Sequence, residues 1–374
     1  IINTTSWISN IPTRFFFTPV TKGYDRISAP AYSFLVTHPT QHRAILFDLG
    51  VRKDWQNLSP ANVGLINHTE AHLDVEHNVA DILRNAAAAA AASSSSSSSG
   101  AGDPAKDASI VAPEDIEAIV WSHWHFDHTG DPSTFPADRT ALVVGPGFKE
   151  ALLPGYPTKP DSLVLDSDFA GRELREIEFD DATKVGRFRA FDYFGDGSFY
   201  LLDSPGHAVG HLCGLARVTS GGDSYILMGG DASHHAGEFR PSKWVPLPDE
   251  ITPNPLGGEG GGGKLSSPSF PSPSPSVCPG SLFDHLLQHG DKTKPFYSIA
   301  PGGLSLDKAE AERTVEKLQE ADAQHAKVLV VIAHDASLLD VVDFFPKYAN
   351  DFVAKGWADK ARWAFLRDFK EALL

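Results

Sequence analysis

The chain has very little cysteine for its length. Cys213 and Cys278 are the only two among 374 residues, and they do not form a Cys-x-x-Cys pair. A disulfide framework and a cysteine-ligated zinc site are therefore both excluded. The sequence has 16 histidines instead, so any metal would be held by nitrogen and oxygen atoms.

Long apolar runs and an excess of basic residues are also missing. Because no stretch of about eighteen apolar residues occurs, no transmembrane helix and no membrane partner are predicted. Lys+Arg 32 against Asp+Glu 48 gives a formal charge of -16, which repels phosphate backbones and argues against a nucleic-acid partner. The length and the 41% hydrophobic content suffice for a sizeable core. We expect a globular cytoplasmic protein.

Two low-complexity segments, 86–108 and 252–280, interrupt the pattern. In the first, an alanine run is predicted to extend a helix that starts near Val79, and the Ser/Gly half is predicted to be a flexible loop. The second is rich in Gly, Pro and Ser and is also predicted to be an insertion. Since chemistry-bearing motifs lie on both sides of each segment, we predict a single domain over residues 1–374.

Short apolar runs alternate with helical stretches along the rest of the chain. The runs that predict strands are 32–36, 43–48, 118–121, 141–144, 198–202, 212–215, 225–228 and 328–332. Near-helical spacing of apolar residues predicts helices at 305–326 and 351–374. Mixed strands and helices over this length indicate a layered α/β protein.

The densest polar motif, Ser122-His-Trp-His-Phe-Asp-His-Thr-Gly130, follows one of these strands. In an extended segment His123 and His125 project to the same side. A turn would then direct Asp127 and His128 towards a second point nearby. Three imidazoles and a carboxylate within six residues suit a borderline metal such as zinc. The alternative, a polar loop whose histidines satisfy one another, is disfavoured because few structural roles demand such dense spacing.

Three more metal-ligand candidates also follow predicted strands. His207 comes after a Pro-Gly turn, Asp231 after Gly229-Gly230, and His334 after the last strand. Taken singly, each is more often a cap or a surface residue. Taken together with the dense motif, they favour one combined metal site.

These motifs resemble the ligand series of the metallo-β-lactamase superfamily. The residues that surround the ligands are similar to those of its N-acyl-homoserine-lactonase-like branch. The similarity covers residues 32 to 340 and implies a four-layer αββα sandwich with two Zn²⁺ ions, or other divalent metals, at the sheet edge. The residues that it implies are His123, His125 and His207 for the first zinc, Asp127, His128 and His334 for the second, and Asp231 as the bridge. It also implies that Asp48 and His211 orient ligands from behind.

One position departs from that branch. Three residues after the bridging aspartate its lactonases carry a tyrosine directed at the substrate carbonyl, and this chain has His234. An imidazole can replace the phenol as a hydrogen-bond donor to the oxyanion or as a proton donor to the leaving group. A surface histidine is the alternative interpretation. Trp55, Phe239 and Trp244 are candidates for the pocket wall, although such aromatic residues are equally often core.

The resemblance implies a hydrolase that opens a small cyclic ester, an activated γ-lactam or a cyclic carbamate. A metal-bound hydroxide would attack the carbonyl carbon, with Asp127 and His234 as the catalytic residues that handle the proton. A glyoxalase II-type thioesterase shares the ligands, but no basic C-terminal helical region for glutathione stands out. A mononuclear iron dioxygenase of the same fold would have no second metal site, so the presence of both His128 and His334 disfavours it. A flavodiiron protein needs a Glu where His125 stands and is disfavoured for that reason. A non-catalytic ligand-binding member is disfavoured by the intact ligand set.

Overall fold

The computed structural model describes residues 1–94, 111–219, 223–257 and 276–374. In these ranges no helix combines the length and the apolar character needed to cross a bilayer. The described chain divides into two compact units. Unit 1 comprises Ile1–Ile8, Pro30–Glu178 and Phe344–Tyr348, and unit 2 comprises Ser9–Ala29, Phe179–Asp343 and Ala349–Leu374. The prediction of a single domain stays a prediction.

The strands and helices follow one another in mixed order. The strands in the described ranges are β1 (Ile2–Pro12), β2 (Phe17–Thr18), β3 (Arg26–His38), β4 (Arg43–Phe47), β5 (His72–Val75), β6 (Ala118–Val120), β7 (Ala141–Val144), β8 (Leu174–Glu176), β9 (Lys184–Val185), β10 (Phe188–Asp192), β11 (Phe199–Asp203), β12 (Leu212–Arg217), β13 (Tyr225–Met228), β14 (Glu250–Ile251), β15 (Cys278–Pro279), β16 (Ser298–Ile299) and β17 (Val328–Val331). The α-helices are α1 (Pro60–His68), α2 (Val79–Ser94), α3 (Phe126–Thr129), α4 (Phe148–Leu152), α5 (Asp166–Phe169), α6 (Lys308–Asp322), α7 (Phe352–Lys355) and α8 (Trp357–Arg362).

Unit 1 is built on a seven-stranded sheet with the order β5-β1-β3-β4-β6-β7-β8. β3 and β4 are antiparallel, whereas β4, β6, β7 and β8 run parallel. The apolar residues of β4, β6 and β7 are buried, as expected for strands covered on both faces. Their carboxyl ends therefore meet at one sheet edge.

Unit 2 is built on a six-stranded sheet with the order β17-β13-β12-β11-β10-β9. The strands from β9 to β13 form an antiparallel meander, and β17 adds to β13 in parallel. Helix α6 precedes β17 and buries Ala311, Val315 and Leu318 in the same apolar cluster as Leu227 and Val330. The helix connects β13 to β17 in the way that a parallel pair requires.

Most sequence-based element predictions are confirmed. Each predicted strand overlaps an observed one, α6 lies inside the predicted helix 305–326, and the alanine run continues α2 as far as Ser94. The rest of the Ser/Gly tract, and residues 258–275 of the second insertion, lie outside the described ranges. The single helix predicted over 351–374 is wrong. Gly356 adopts a φ of 64° between α7 and α8, and the last segment, Ala364–Leu373, is a 3-10 helix.

Unit 1 also holds a buried group of charges around Asp168. Its carboxylate accepts a hydrogen bond from the Leu165 amide at 2.8 Å. The nearby Arg172 guanidinium donates to the carbonyl oxygens of Thr140 and Pro132 at 2.8 and 2.7 Å. Burial raises the pKa of Asp168 from its ordinary value of 3.8 to about 7. This carboxyl group is therefore protonated in the folded protein at pH values where the unfolded chain is ionised.

Asp168→Asn should make the protein more stable at neutral pH. Between pH 3.8 and about 7 the folded wild type keeps a proton on Asp168 that the unfolded chain has released. The stability of the wild type therefore falls as pH rises through that interval. Asparagine still accepts from Leu165 and does not titrate. We expect the stability difference between variant and wild type, from urea unfolding, to grow by roughly 2 to 3 kcal/mol between pH 5 and pH 8. Asp161→Asn, an exposed control, should leave the pH dependence unchanged, and the same slope in both variants would contradict the prediction.

Candidate metal centre

The candidate ligands of unit 1 follow a parallel strand pair at the edge where the two strands end. Phe47 of β4 and Val120 of β6 are register partners. The Asp48 amide donates to the Val120 carbonyl at 2.8 Å, which continues the ladder by one step. The side chains that follow, Asp48 and Ser122, therefore emerge at the same edge of the sheet.

The loops after β4 and β6 are joined to each other by backbone hydrogen bonds. Leu49 N donates to His128 O at 2.8 Å, and Gly130 N donates to Gly50 O at 2.9 Å. Gly130 has a φ of 51°, and a Cβ there would lie 2.3 Å from Leu49 Cβ. Only glycine allows this approach, which explains the Thr-Gly ending of the motif.

The motif brings its imidazoles together as the spacing predicts. His123 Nε2 lies 2.9 Å from His125 Nδ1, and the rings of His123 and His128 are 4.2 Å apart. The single turn of α3 carries Asp127 beside His128, with 3.9 Å between Asp127 Oδ2 and His128 Nε2. His123 and His128 are buried, whereas His125 and Asp127 are partly exposed.

Asp48 orients His128 from behind. Its Oδ2 lies 2.9 Å from His128 Nδ1, and its Oδ1 accepts from the Ser122 amide at 2.6 Å. Burial raises the pKa of Asp48, and the facing His128 opposes that shift. A proton on Nδ1 shared with the carboxylate leaves the lone pair of His128 on Nε2, the state that a metal ligand requires.

The candidate ligands of unit 2 also lie at the ends of strands. Met228 of β13 and Val331 of β17 are partners in a parallel pair, and Ala333 N donates to Gly230 O at 3.1 Å beyond them. Asp231 and His334 are thereby placed at neighbouring strand ends. The turn before His207 requires glycine, because Gly206 has a φ of 122° and a Cβ there would lie 2.1 Å from the Ala311 nitrogen.

The Asp231 carboxylate faces an imidazole on each of its two oxygens. Oδ1 lies 3.1 Å from His334 Nε2, and Oδ2 lies 3.6 Å from His207 Nε2. All three side chains are buried. Two ligand atoms that each lie about 2.0 Å from a tetrahedral zinc are separated by about 3.3 Å. These separations, and that between His123 and His125, therefore fit side chains that share a metal.

His211 supports Asp231 through the backbone. Its Nε2 accepts a hydrogen bond from the Asp231 amide at 3.0 Å, and its Nδ1 lies 3.0 Å from the Ser204 carbonyl oxygen. Because Nε2 accepts, the ring proton must be on Nδ1, where it is donated to that carbonyl. The fully buried ring thus holds the backbone at the start of the Asp231 loop.

His234 lies beside Asp231 in the same unit. Its Nε2 is 3.2 Å from Asp231 Oδ2, and its ring contacts those of Phe16 and His207 with centroids 4.6 and 4.8 Å apart. Among the described residues neither ring nitrogen of His234 makes a hydrogen bond, although the side chain is only 3% exposed. A buried imidazole with unused hydrogen-bonding capacity is suited to a ligand or a substrate atom.

Glu238 is a residue near this site that the sequence analysis missed. Its Oε2 accepts from the backbone amide of His234 at 2.6 Å. A sequence signal for it exists, because Glu238 lies three residues after His235, the N-cap residue of the 3-10 helix Ala236–Glu238, and completes a capping box. The signal is weak because that cap residue is His235 instead of Ser or Thr.

The three aromatic pocket candidates lie in different surroundings. Phe239 is 1% exposed and belongs to the apolar core of unit 2. Trp244 is 39% exposed, with the Lys243 ammonium 4.1 Å from its ring centre. Trp55 begins a 3-10 helix in unit 1 and is partly buried. Their role in substrate contact stays a prediction.

The described ranges therefore contain histidine and aspartate side chains grouped closely enough to hold a metal ion. The candidate metal-binding residues are His123, His125, Asp127 and His128 of unit 1 and His207, Asp231 and His334 of unit 2.

Comparison with known proteins places this chain in a family. A family model described as the metallo-beta-lactamase superfamily matches residues 95–252. The gamma-lactamase FDB1 of Fusarium pseudograminearum is 42% identical over 99% of this chain and 81% of its own length. The gamma-lactamase MBL2 of Gibberella moniliformis is 43% identical over 73% of this chain and 100% of its own length. The chain belongs to the metallo-β-lactamase superfamily.

A solved structure agrees with this assignment at the level of the fold. An N-acyl homoserine lactone hydrolase, with the product N-hexanoyl-L-homoserine at its catalytic metal center, superposes with a TM-score of 0.52 and 16% identity. The superposition covers 92% of this chain and 96% of that one. The predicted metallo-β-lactamase fold is thus confirmed. The predicted enzyme class, a metal-dependent hydrolase, is confirmed by the family model and by the relative of 42% identity. Two of the relatives that the chain matches over most of their length are gamma-lactamases.

Proposed function

We propose that this protein is a dinuclear zinc hydrolase that opens a small cyclic ester, an activated γ-lactam or a cyclic carbamate. The observation that carries the proposal is the Asp231 carboxylate, which faces His334 on one oxygen and His207 on the other. A carboxylate with a separate imidazole on each oxygen is suited to join two metal ions. The activities named for two similar proteins, a gamma-lactamase and a lactone hydrolase, support the carbonyl group of a ring as the group that is hydrolysed.

We assign the seven candidate ligands to two metal ions, as the resemblance to the ligand series of the superfamily implies. The proposed ligands are His123, His125 and His207 for one ion, Asp127, His128 and His334 for the other, and Asp231 for both. Nitrogen and oxygen donors without cysteine suit Zn²⁺ and leave other divalent ions as competitors. When bound, such a metal pair supplies water activation near neutral pH and polarises a carbonyl.

The chain's own side chains hold the geometry and move the proton. Asp48 keeps the Nε2 lone pair of His128 available, and His211 holds the Asp231 backbone. We assign the uptake and release of the proton to Asp127, whose carboxylate is partly exposed. His234 presents Nε2 beside Asp231 Oδ2, where its N–H can donate to a developing oxyanion or to the leaving atom.

A hydrolysis panel tests the reaction class. The zinc-loaded protein is offered N-acyl homoserine lactones, an aromatic γ-lactam, an aromatic cyclic carbamate, a β-lactam and a glutathione thioester, and ring opening is followed by chromatography. We expect turnover of at least one five-membered lactone, γ-lactam or carbamate, dependent on added metal. Preference for the thioester would make the protein a thioesterase, and no turnover on any member would favour a ligand-binding role.

His234→Phe should lower kcat while leaving zinc content unchanged. Phenylalanine keeps the packing against Phe16 but has no N–H to donate, and loss of one such donor typically costs about 10²- to 10³-fold in rate. His234→Tyr restores a donor of the type found in the lactonase branch and should recover much of the loss. The measurement is kcat on the best substrate of the panel, with metal content determined in parallel. Equal kcat for wild type and His234→Phe would remove His234 from the catalytic residues.

A further inference from the structure

The backbone turn that carries His234 is held by one buried carboxylate. Glu238 Oε2 accepts hydrogen bonds from the His234 amide at 2.6 Å, from the His235 amide at 3.1 Å and from Ser233 Oγ at 3.2 Å. Glu238 is 2% exposed, so these bonds are shielded from water. Three donors on one shielded oxygen make a stronger constraint than an exposed cap would.

The position of the His234 ring depends on this turn. Glu238 Oε2 lies 4.0 Å from His234 Nδ1, behind the ring, while Nε2 lies 3.2 Å from Asp231 Oδ2 in front of it. Phe16 and His207 contact the ring, but the ring makes no hydrogen bond among the described residues. Packing and the turn backbone are therefore what hold the imidazole beside Asp231.

Glu238 is not explained by a structural need of the apolar core. Its Oε1 is buried and has no hydrogen-bond partner among the described residues, and an unsatisfied buried oxygen is destabilising. Burial raises the pKa of Glu238, and the neighbouring His234 and its amide oppose that shift. An apolar residue would remove the unpaired Oε1 but would leave the three donors to Oε2 without an acceptor, so the role of the carboxyl group lies in what Oε2 does at the turn.

We propose that Glu238 is a positioning residue, which fixes the Ser233–His235 turn and thereby aligns the His234 imidazole next to Asp231. Glu238 is not proposed to touch substrate or metal. Its effect on turnover rests on the function proposed above, whereas its effect on the turn does not.

Two variants separate positioning from simple stability. Glu238→Gln keeps an oxygen that accepts from the amides, and Glu238→Leu has a similar volume but no acceptor. In Glu238→Leu, amide hydrogen exchange at residues 234 and 235 should be faster by about tenfold or more. In the zinc-loaded enzyme kcat should fall by about tenfold or more, with KM within about threefold and zinc content unchanged. Glu238→Gln should stay within about threefold of wild type in both measurements.

A double variant tests whether Glu238 affects kcat through His234. In the His234→Phe background, adding Glu238→Leu should change kcat by less than about twofold, because the imidazole that it positions is already absent. The matched control is Asp192→Leu, since that carboxylate also accepts from two backbone amides of unit 2, Gly195 at 3.0 Å and Gly197 at 2.9 Å. It should alter exchange at its own turn and leave kcat unchanged.

Three results would overturn the proposal. They are unchanged exchange at residues 234 and 235 in Glu238→Leu, an equal loss of kcat with and without His234, and loss of zinc in Glu238→Leu. If the wild type opens no ring, the proposed function fails while the exchange experiment still decides. Protection lost with leucine and kept with glutamine supports the positioning, and equal exchange in both overturns it.

Discussion

His207→Ala should lose both metal and turnover. The His207 imidazole lies in the interior of unit 2 with Nε2 3.6 Å from Asp231 Oδ2, so alanine removes one nitrogen donor of the proposed metal site. Substitution of a residue that only hydrogen-bonds to a metal ligand typically lowers metal affinity by about 10- to 100-fold. Loss of a proposed ligand should exceed that range, and His123→Ala should behave in the same way.

The measurement pairs zinc content after dialysis against a zinc buffer with the rate of ring opening. His72→Ala is the matched control, because His72 is exposed on β5 and lies outside the candidate ligands. It should keep the wild-type zinc content and rate. Full activity in a metal-depleted His207→Ala protein would contradict the metal-dependent mechanism.

Arg240→Met should destabilise the fold by about 3 to 5 kcal/mol, because it leaves a buried carboxylate without its partner. The Arg240 guanidinium donates to both oxygens of Asp322, at 3.0 and 2.6 Å, and to the Arg362 carbonyl at 3.0 Å. Arg240 and Asp322 are 5% and 4% exposed. Burial alone raises the pKa of Asp322, but the guanidinium outweighs it and holds that pKa below its usual value.

Urea unfolding checks this prediction. Arg187→Met is the control, since Arg187 pairs with Glu320 at 2.8 Å while 48% exposed, and such a pair contributes at most about 1 kcal/mol. The double variant Arg240→Met with Asp322→Leu should recover much of the loss, because neither charge is then left alone. If Arg240→Met is no less stable than Arg187→Met, the buried pair is not important to the fold.

The candidate site could be predicted because each ligand follows a strand that is visible as an apolar run. The motif that holds His123 to His128 follows β6, while Asp231 and His334 follow β13 and β17. Parallel neighbours bring their carboxyl ends to one edge, so residues far apart in the chain become adjacent. Local patterns are sufficient for this part of the structure.

Pairings between distant residues could not be predicted in this way. Arg240 and Asp322 lie 82 positions apart, and neither has a local pattern that selects the other. The burial of Phe239 depends on the tertiary packing of unit 2, so the same aromatic residue is equally compatible with a pocket wall and with the core. The C-terminal prediction failed because spacing alone does not reveal that Gly356 interrupts the helix with a φ of 64°.

The parallel pairing of β13 with β17 has a consequence for how the family can vary. Asp231 and His334 are positioned by the ladder that joins Met228 to Val331, and more than 90 residues of chain lie between the two strands. The entropy of closing such an excursion grows only with the logarithm of its length. Segment 252–280 lies within this connection. Its length can therefore change at a small cost in free energy, because Asp231 and His334 are positioned by the strand pair.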